Sequence, residues 1–137
     1  MIEVVISKIK IDELKEGQMI FLKEKDGDRV LPVVIGISEV NAIKFKLSGV
    51  VVPRPLTHDF LFTVIKSLSA TVERVLIDKL EENTFFAKVF LLTQNDEKVC
   101  VDARPSDSIA LALRANVPMF VNEEVLEQAG ILLDGGV

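Results

Sequence analysis

Polar and apolar positions alternate along six stretches of the chain, and this pattern predicts β-strands. Apolar residues at every second position, many of them β-branched or aromatic, are typical of strands with one buried face. The predicted strands cover residues 2–11, 19–24, 29–35, 71–78, 84–92 and 97–103. An Asp26-Gly27 turn predicts that the second and third strands form a hairpin, and short polar segments predict that the last three form an antiparallel meander.

A different spacing, with apolar residues three and four positions apart, predicts four helices. These cover residues 38–49, 57–69, 106–115 and 123–129, and the first three open on the N-cap candidates Ser38, Thr57 and Ser106. In the second helix the spacing predicts a buried stripe made of Leu61, Val64, Ile65 and Leu68. In the third helix Arg114 is predicted to be exposed.

This succession of elements predicts one domain over residues 1–137. Its fold class is α+β, with a mixed, largely antiparallel sheet and three to four helices packed on it. A chain of 137 residues can bury one core without disulfides or a structural metal. The only cysteine, Cys100, lies in an apolar strand and is expected to be buried.

The chain is apolar for its size, with 49% hydrophobic residues and a mean hydropathy of +0.36. No apolar run approaches the roughly 20 residues that span a bilayer, and the first residues lack the basic opening of a signal peptide. We therefore expect a cytoplasmic protein with no membrane partner. Apolar surface left uncovered in the monomer favours a homo-oligomer, with a dimer as the preferred state.

The net charge of −5 and the pI of about 4.9 argue against an extended nucleic-acid-binding surface. Affinity for nucleic acid that does not depend on sequence comes from many lysine and arginine contacts to phosphates. An acidic chain that acts on phosphates needs a few concentrated cations, together with a metal ion bound by its carboxylates.

Two such cations stand at similar positions, because Arg54-Pro55 and Arg104-Pro105 each lead from an apolar extended segment into a predicted helix. Proline restricts the residue before it to extended geometry, and a helix N-terminus favours anions. Arg54, Arg104 and Ser106 are therefore candidate phosphate ligands. The alternative is a structural role, in which Asp102 and Arg104 form an ion pair that joins the strand end to the helix.

The only histidine, His58, falls at the start of the second predicted helix and is a candidate general base, because imidazole titrates near neutral pH. A polar contact at the helix start is the alternative. Four carboxylates lie near the starts of the first three predicted helices, namely Glu39, Asp59, Asp102 and Asp107. Each of Glu39, Asp59 and Asp107 is also explained as a complement to a helix dipole.

Other kinds of catalytic site are disfavoured. The serines lack a nucleophile-elbow pattern, and one histidine with one cysteine cannot supply a closed zinc site. Carboxylates with one imidazole suit Mg²⁺ or Mn²⁺ better.

Four motifs in order resemble the bifunctional nuclease family. They are LPVVIGISEVNAI at 31–43, PRPLTHD at 53–59, TFFA at 84–87 and VDARPSDSIALA at 101–112. The resemblance covers nearly the whole chain. It implies a compact α+β fold, self-association, and nuclease activity on RNA and DNA.

The roles follow from the chemistry of the matching positions. Phosphodiester hydrolysis needs an activated water, stabilisation of the phosphoryl charge and help for the leaving oxygen. We predict that His58, Arg54, Arg104 and Asp59 are catalytic, with His58 as the base. We predict that Mg²⁺ or Mn²⁺ is held by some of Glu39, Asp59, Asp102 and Asp107. The alternative function is a non-catalytic module that binds an anionic small molecule or a partner protein at the Arg54-Pro55 and Arg104-Pro105 segments.

Overall fold

The alternating segments form one mixed sheet in the computed structural model, which describes residues 1–11 and 17–132. The strands in the described residues are β1 (Ile2–Lys10), β2 (Gln18–Glu24), β3 (Arg29–Ile35), β4 (Thr71–Glu81), β5 (Thr84–Leu92), β6 (Lys98–Ala103), β7 (Met119–Val121) and β8 (Ile131–Leu132). The helices there are α1 (Ile37–Leu47), α2 (Thr57–Ser67), α3 (Pro105–Ala115) and α4 (Glu123–Ala129).

The strand order across the sheet is β6-β5-β4-β7-β1-β2-β3-β8. The predicted hairpin is β2 with β3, and the predicted meander is β4, β5 and β6, all antiparallel. The chain then crosses through α3 and returns with β7, which pairs parallel to β4 and antiparallel to β1. The predicted fold class, a mixed and largely antiparallel α+β sheet, is confirmed.

One hydrophobic core joins the sheet to the helices. Its fully buried large side chains come from several elements and include Ile20, Leu22, Leu31, Ile43, Ile109 and Leu126. Among the helices, α3 contacts both α1 and α2 and also packs on β4 and β5. Because α3 is flanked by α1 and α2, residues at the starts of these three helices can meet.

The predicted N-cap residues are wrong for the first three helices. The N-cap positions are occupied by Gly36, Leu56 and Arg104, and none of these side chains caps its helix. In α2 the carboxylate of Asp59 replaces a side-chain cap, since its Oδ2 accepts a hydrogen bond from the backbone N–H of Leu56 at 2.9 Å. In α3 the first helical residue is Pro105, which has no N–H to satisfy.

The predicted buried stripe of α2 is also wrong. Leu61 is 40% exposed and Leu68 is 73% exposed, and only Ile65 of the predicted stripe packs against the core. The helix packs mainly against α3 and β4, while Phe60, Leu61 and Leu68 stay exposed. The apolar face of α2 is therefore left open.

Two further expectations about burial are corrected. Cys100 is exposed because β6 is the edge strand of the sheet. The side chain of Arg114, predicted to be exposed, is only 4% exposed because it turns inward from α3 to contact α2 and α1. None of the helices in the described segments is long and apolar enough to cross a membrane.

Candidate functional site

The first three helices each carry a carboxylate at their third residue. These residues are Glu39 in α1, Asp59 in α2 and Asp107 in α3. Two of them converge on one cation. Arg104 donates hydrogen bonds from Nε to Asp107 Oδ2 at 2.8 Å, from Nη2 to Asp107 Oδ1 at 3.2 Å and from Nη1 to Glu39 Oε1 at 3.3 Å.

Arg104 is held where an incoming anion can reach it. Its backbone is extended at the N-cap of α3, with φ −73° and ψ 148°, as expected for a residue before proline. The side chain is 65% exposed although it bonds two carboxylates. The hydrogen bond with Asp107 raises the pKa of Arg104, so the guanidinium stays charged.

His58 joins the same group from the start of α2. Its Nε2 lies 2.9 Å from Asp107 Oδ1, and the imidazole is only 12% exposed. An ionised carboxylate can only accept a hydrogen bond, so Nε2 carries a proton towards Asp107, and in the neutral imidazole Nδ1 keeps its lone pair. We call Glu39, His58, Arg104 and Asp107 the Arg104 cluster.

The charge state of Asp107 follows from its contacts. Partial burial raises the pKa of this carboxyl group, but the hydrogen bonds from Arg104 and His58 outweigh burial and bring the pKa below its usual value. Asp107 is therefore ionised at neutral pH. It can orient the imidazole and stabilise its protonated form, as the aspartate of a serine protease triad does.

Asp59 belongs to a neighbouring ion pair rather than to the Arg104 cluster. Arg114 donates from Nε to Asp59 Oδ1 at 2.7 Å, and from its other nitrogens to the carbonyls of Ala110 at 3.0 Å and Ala42 at 3.4 Å. One buried guanidinium thus connects α1, α2 and α3. Burial raises the pKa of Asp59, but the hydrogen bonds from Leu56 and Arg114 outweigh burial and lower it.

Three clefts meet at Arg104. A cleft of about 350 Å³ lies between the starts of α1 and α2, and a second, of about 410 Å³, lies beside Gly36, Thr84 and Ser106. A larger groove of about 840 Å³ runs between α2 and the strands β5 and β6, with apolar walls. His58 and Asp107 line the first cleft and the groove, and Arg104 lines all three spaces.

Stretches that are far apart in sequence supply these walls. The three clefts draw on residues within 33–39, 56–58, 83–85 and 104–107, and each range overlaps one of the four motifs that carry the resemblance. The family model described as "Bifunctional nuclease domain" matches residues 20–134. This chain belongs to the bifunctional nuclease domain family.

The chain is similar both to an uncharacterized protein and to proteins named as bifunctional nucleases. An uncharacterized protein of Mycobacterium tuberculosis, MT1877, is 43% identical over 131 residues, which are 96% of this chain and 77% of that protein. Bifunctional nuclease 1 of Oryza sativa subsp. indica is 25% identical, over 82% of this chain and 35% of its own length. Bifunctional nuclease 2 of Arabidopsis thaliana is 27% identical, over 85% and 37%. The domain therefore corresponds to about a third of each plant protein.

Three other predicted site residues form no hydrogen bond with the Arg104 cluster in the described part of the chain. Arg54 is exposed, and no described residue forms a hydrogen bond or ion pair with its side chain. Asp102 is exposed on β6, and the Asp102–Arg104 ion pair of the structural alternative is absent, because Arg104 bonds Asp107 and Glu39 instead. Ser106 is 5% exposed and lines the cleft beside Gly36.

The four predicted carboxylates do not form a metal site together. Among the described residues, no three histidine, cysteine, aspartate or glutamate side chains are placed to hold one ion. Asp59 is bound by Arg114 and Leu56, and Asp102 lies on the edge strand. The donors that remain are Glu39 and Asp107, and both contact Arg104.

One feature of the sequence indicates that Arg114 is buried, although it was predicted to be exposed. Arg114 lies in the last turn of α3, seven residues after Asp107, and therefore two turns along the same face of the helix as the site carboxylate. A charged residue on that face faces the neighbouring helices instead of solvent.

Acid should weaken the site and the fold together. The pKa of Asp107 and that of Asp59 are lowered in the folded protein. Their contribution to stability is present above the unfolded-state pKa, about 4, and is lost as the pH falls through the lower folded-state values. We expect the free energy of unfolding, measured with urea, to fall below about pH 4 and to fall less steeply in Asp107→Asn. Equal pH dependence in the two proteins would contradict the ion pairs.

Proposed function

We propose that this chain hydrolyses phosphodiester bonds of RNA and DNA at the Arg104 cluster. The observation that carries the proposal is the contact of His58 Nε2 with Asp107 Oδ1, beside an exposed arginine at the meeting point of three clefts. Membership of a nuclease family supports a nucleic-acid substrate. The activity of the relatives named as nucleases is extended to this chain as part of the proposal.

In the proposed reaction, His58 removes a proton from the attacking water. Asp107 accepts the hydrogen bond from Nε2–H and so presents Nδ1 as the base. When Nδ1 gains the proton, the imidazolium lies next to an ionised carboxylate, which stabilises the new charge. The protonated imidazole can then return a proton to the leaving oxygen.

Arg104 is proposed to bind the phosphate that is attacked. Its guanidinium is exposed and fixed by two carboxylates, so its orientation is set before the substrate arrives. Arginine presents paired N–H groups that match two phosphate oxygens. As the negative charge on these oxygens grows, the same contacts become stronger.

Ser106 and Arg54 stay in the proposal as outer phosphate contacts. Ser106 lines the cleft beside Arg104 and could meet a phosphate group adjacent to the one that is attacked. Arg54 is exposed and unpaired within the described residues, so it is available to a longer substrate. The described hydrogen bond of the imidazole is to Asp107 and not to either of these residues.

Magnesium or manganese is proposed in the form that the available donors permit. Glu39 and Asp107 would hold such an ion, and substrate phosphate oxygens and water would complete its coordination. When bound, the ion would neutralise charge on the phosphoryl oxygens. The proton transfer assigned to His58 does not depend on it.

A binding module without catalysis is the second candidate function, and the apolar groove favours it. The walls of that groove are mostly aliphatic, and His58, Arg104 and Asp107 form its polar end. Such a shape suits an amphiphilic anionic ligand. In this case the cluster would hold the anionic group and no bond would be cleaved.

Alanine variants of Arg54 and Arg104 test the proposed site. Purified protein is mixed with end-labelled single-stranded RNA and DNA, in Mg²⁺, in Mn²⁺ and in chelator. We expect Arg104→Ala to reduce cleavage at least about a hundredfold, the scale for losing a charge-stabilising donor. Arg54→Ala should reduce it less, because Arg54 does not contact the cluster.

The control is Arg104→Lys, which keeps the charge but loses the paired donors, and it should recover only part of the activity. Cleavage that is the same in all variants would assign the activity to a contaminant. Binding of the oligonucleotides without cleavage, lost in Arg104→Ala, would favour the binding module. A larger loss of cleavage in Arg54→Ala than in Arg104→Ala would place the site around Arg54 instead.

A further inference from the structure

The strand β6 ends the sheet, and its outer edge is open. Five of its six residues are exposed, and among the described residues it pairs only with β5. An open edge presents unpaired N–H and C=O groups to any strand that can reach them. The question is which strand fits.

The sequence of β6 is complementary to itself when a second copy runs in the opposite direction. With Cys100 opposite Cys100, the chain places Lys98 opposite Asp102 and Val99 opposite Val101. Each of these pairs occurs twice across a twofold axis. Opposite charges and apolar side chains are both favourable cross-strand pairs.

Other registers fit worse. Directly opposed residues of an antiparallel pair have their side chains on the same face of the sheet. A twofold axis perpendicular to the sheet must therefore pass midway between the two copies of one residue. An axis through Val101 would set Lys98 opposite Arg104, which repels. An axis through Val99 would set Glu97 opposite Val101 and leave Lys98 without an acidic partner.

The apolar face of α2 lies on the same side of the sheet as Val101. Both line the 840 Å³ groove, in which Phe60 is 63% exposed and Val101 is 43% exposed. In a twofold pair the two grooves lie on one face of a continuous sheet and meet at the axis. Stable dimers bury about 800 Å² on each partner, more than the six-residue strand β6 supplies, so these apolar walls must contribute to the contact.

We propose that β6 pairs antiparallel with β6 of a second copy of this chain, about a twofold axis at Cys100. The result is a symmetric dimer with a continuous sheet and with the two apolar grooves facing each other. The pairing rests on the edge strand and its register, and it does not depend on nuclease activity.

Oxidation of Cys100 tests the register directly. Opposed Cα atoms in an antiparallel pair lie about 4.5–5.5 Å apart, within the range of about 4.4–6.8 Å that a disulfide needs. Diamide accepts the two electrons and two protons released when two thiols form the bond. We expect the unaltered chain to give a covalent dimer on a non-reducing gel.

Single-residue shifts provide the matched controls. Val99→Cys combined with Cys100→Ser should give little covalent dimer, because position 99 faces position 101 of the other copy. Adding Val101→Cys to that variant should restore the covalent dimer. Covalent dimers of equal yield in all three proteins would indicate random collisions and would overturn the register.

Charge reversal tests the association without oxidation. In sedimentation velocity at micromolar concentration we expect a dimer for the unaltered chain and an at least tenfold weaker dimer for Lys98→Asp, which creates two like-charge pairs. The double variant Lys98→Asp with Asp102→Lys should associate again. A monomer at all concentrations, or a dimer that is indifferent to Lys98→Asp, would overturn the proposal.

Discussion

Replacing His58 with glutamine should reduce hydrolysis of RNA and DNA at least about a hundredfold, the usual scale for losing a catalytic proton-transfer group. Glutamine keeps an N–H that can reach Asp107 Oδ1, now 2.9 Å from the imidazole, so the local packing is retained. It has no group that can accept a proton near neutral pH. The measurement is the single-turnover rate with labelled oligonucleotides.

A second variant, Asp107→Asn, tests the same mechanism. Asparagine keeps the shape of the side chain but removes the negative charge that orients and stabilises the imidazole, so the rate should also fall. Circular dichroism and thermal unfolding should show that both variants remain folded, because neither change empties the core. Unchanged rates in folded His58→Gln would exclude the imidazole as the base.

Replacing Arg114 with alanine should destabilise the fold by about 3 kcal/mol, the scale for breaking a buried ion pair from one side. The side chain is 4% exposed and bonds Asp59 together with two backbone carbonyls, of Ala110 and Ala42. The change leaves Asp59 without its cation and opens a space between three helices. Urea unfolding at neutral pH measures the effect.

A double-mutant cycle separates the ion pair from the packing. Asp59→Asn alone should be less costly than Arg114→Ala, because asparagine keeps the size of the side chain and an oxygen that can still accept the hydrogen bond from Arg114 Nε. The double variant should lose less stability than the two single losses added together. Strictly additive losses would mean that the 2.7 Å contact between Arg114 and Asp59 contributes no coupling.

Much of the fold could be predicted from local pattern. The bounds predicted for β5 and α4, residues 84–92 and 123–129, agree with the structure. The strand β4 runs three residues further than predicted, because the turn to β5 is only Glu82-Asn83, both with positive φ. Glutamate is unusual in that conformation, so the sequence carries no signal for so tight a turn.

Tertiary context decided the rest. Helical spacing in α2 indicated a buried stripe, but spacing cannot tell whether another element covers the stripe, and no described element does. The exposure of Cys100 has the same origin, since strand order is set by the crossover through α3 and not by the apolar run around the cysteine.

The candidate site was predictable residue by residue but not pair by pair. Glu39, His58, Arg104 and Asp107 were all named from sequence, and the structure brings them together. The Asp102–Arg104 pair of the structural alternative does not form, because Arg104 bonds Glu39 and Asp107 instead. The link from His58 to Asp107 spans 49 residues and depends on how α2 packs against α3.

The meeting of three clefts at Arg104 has a practical consequence for the search for ligands. Compounds that occupy different spaces would compete with one another, since each would contact the same guanidinium. An uncharged, lipophilic compound bound in the groove beside α2 could therefore block access to His58 and Arg104 without imitating a phosphate. Fragment screening against that groove would show whether an uncharged ligand can exclude a phosphate from Arg104.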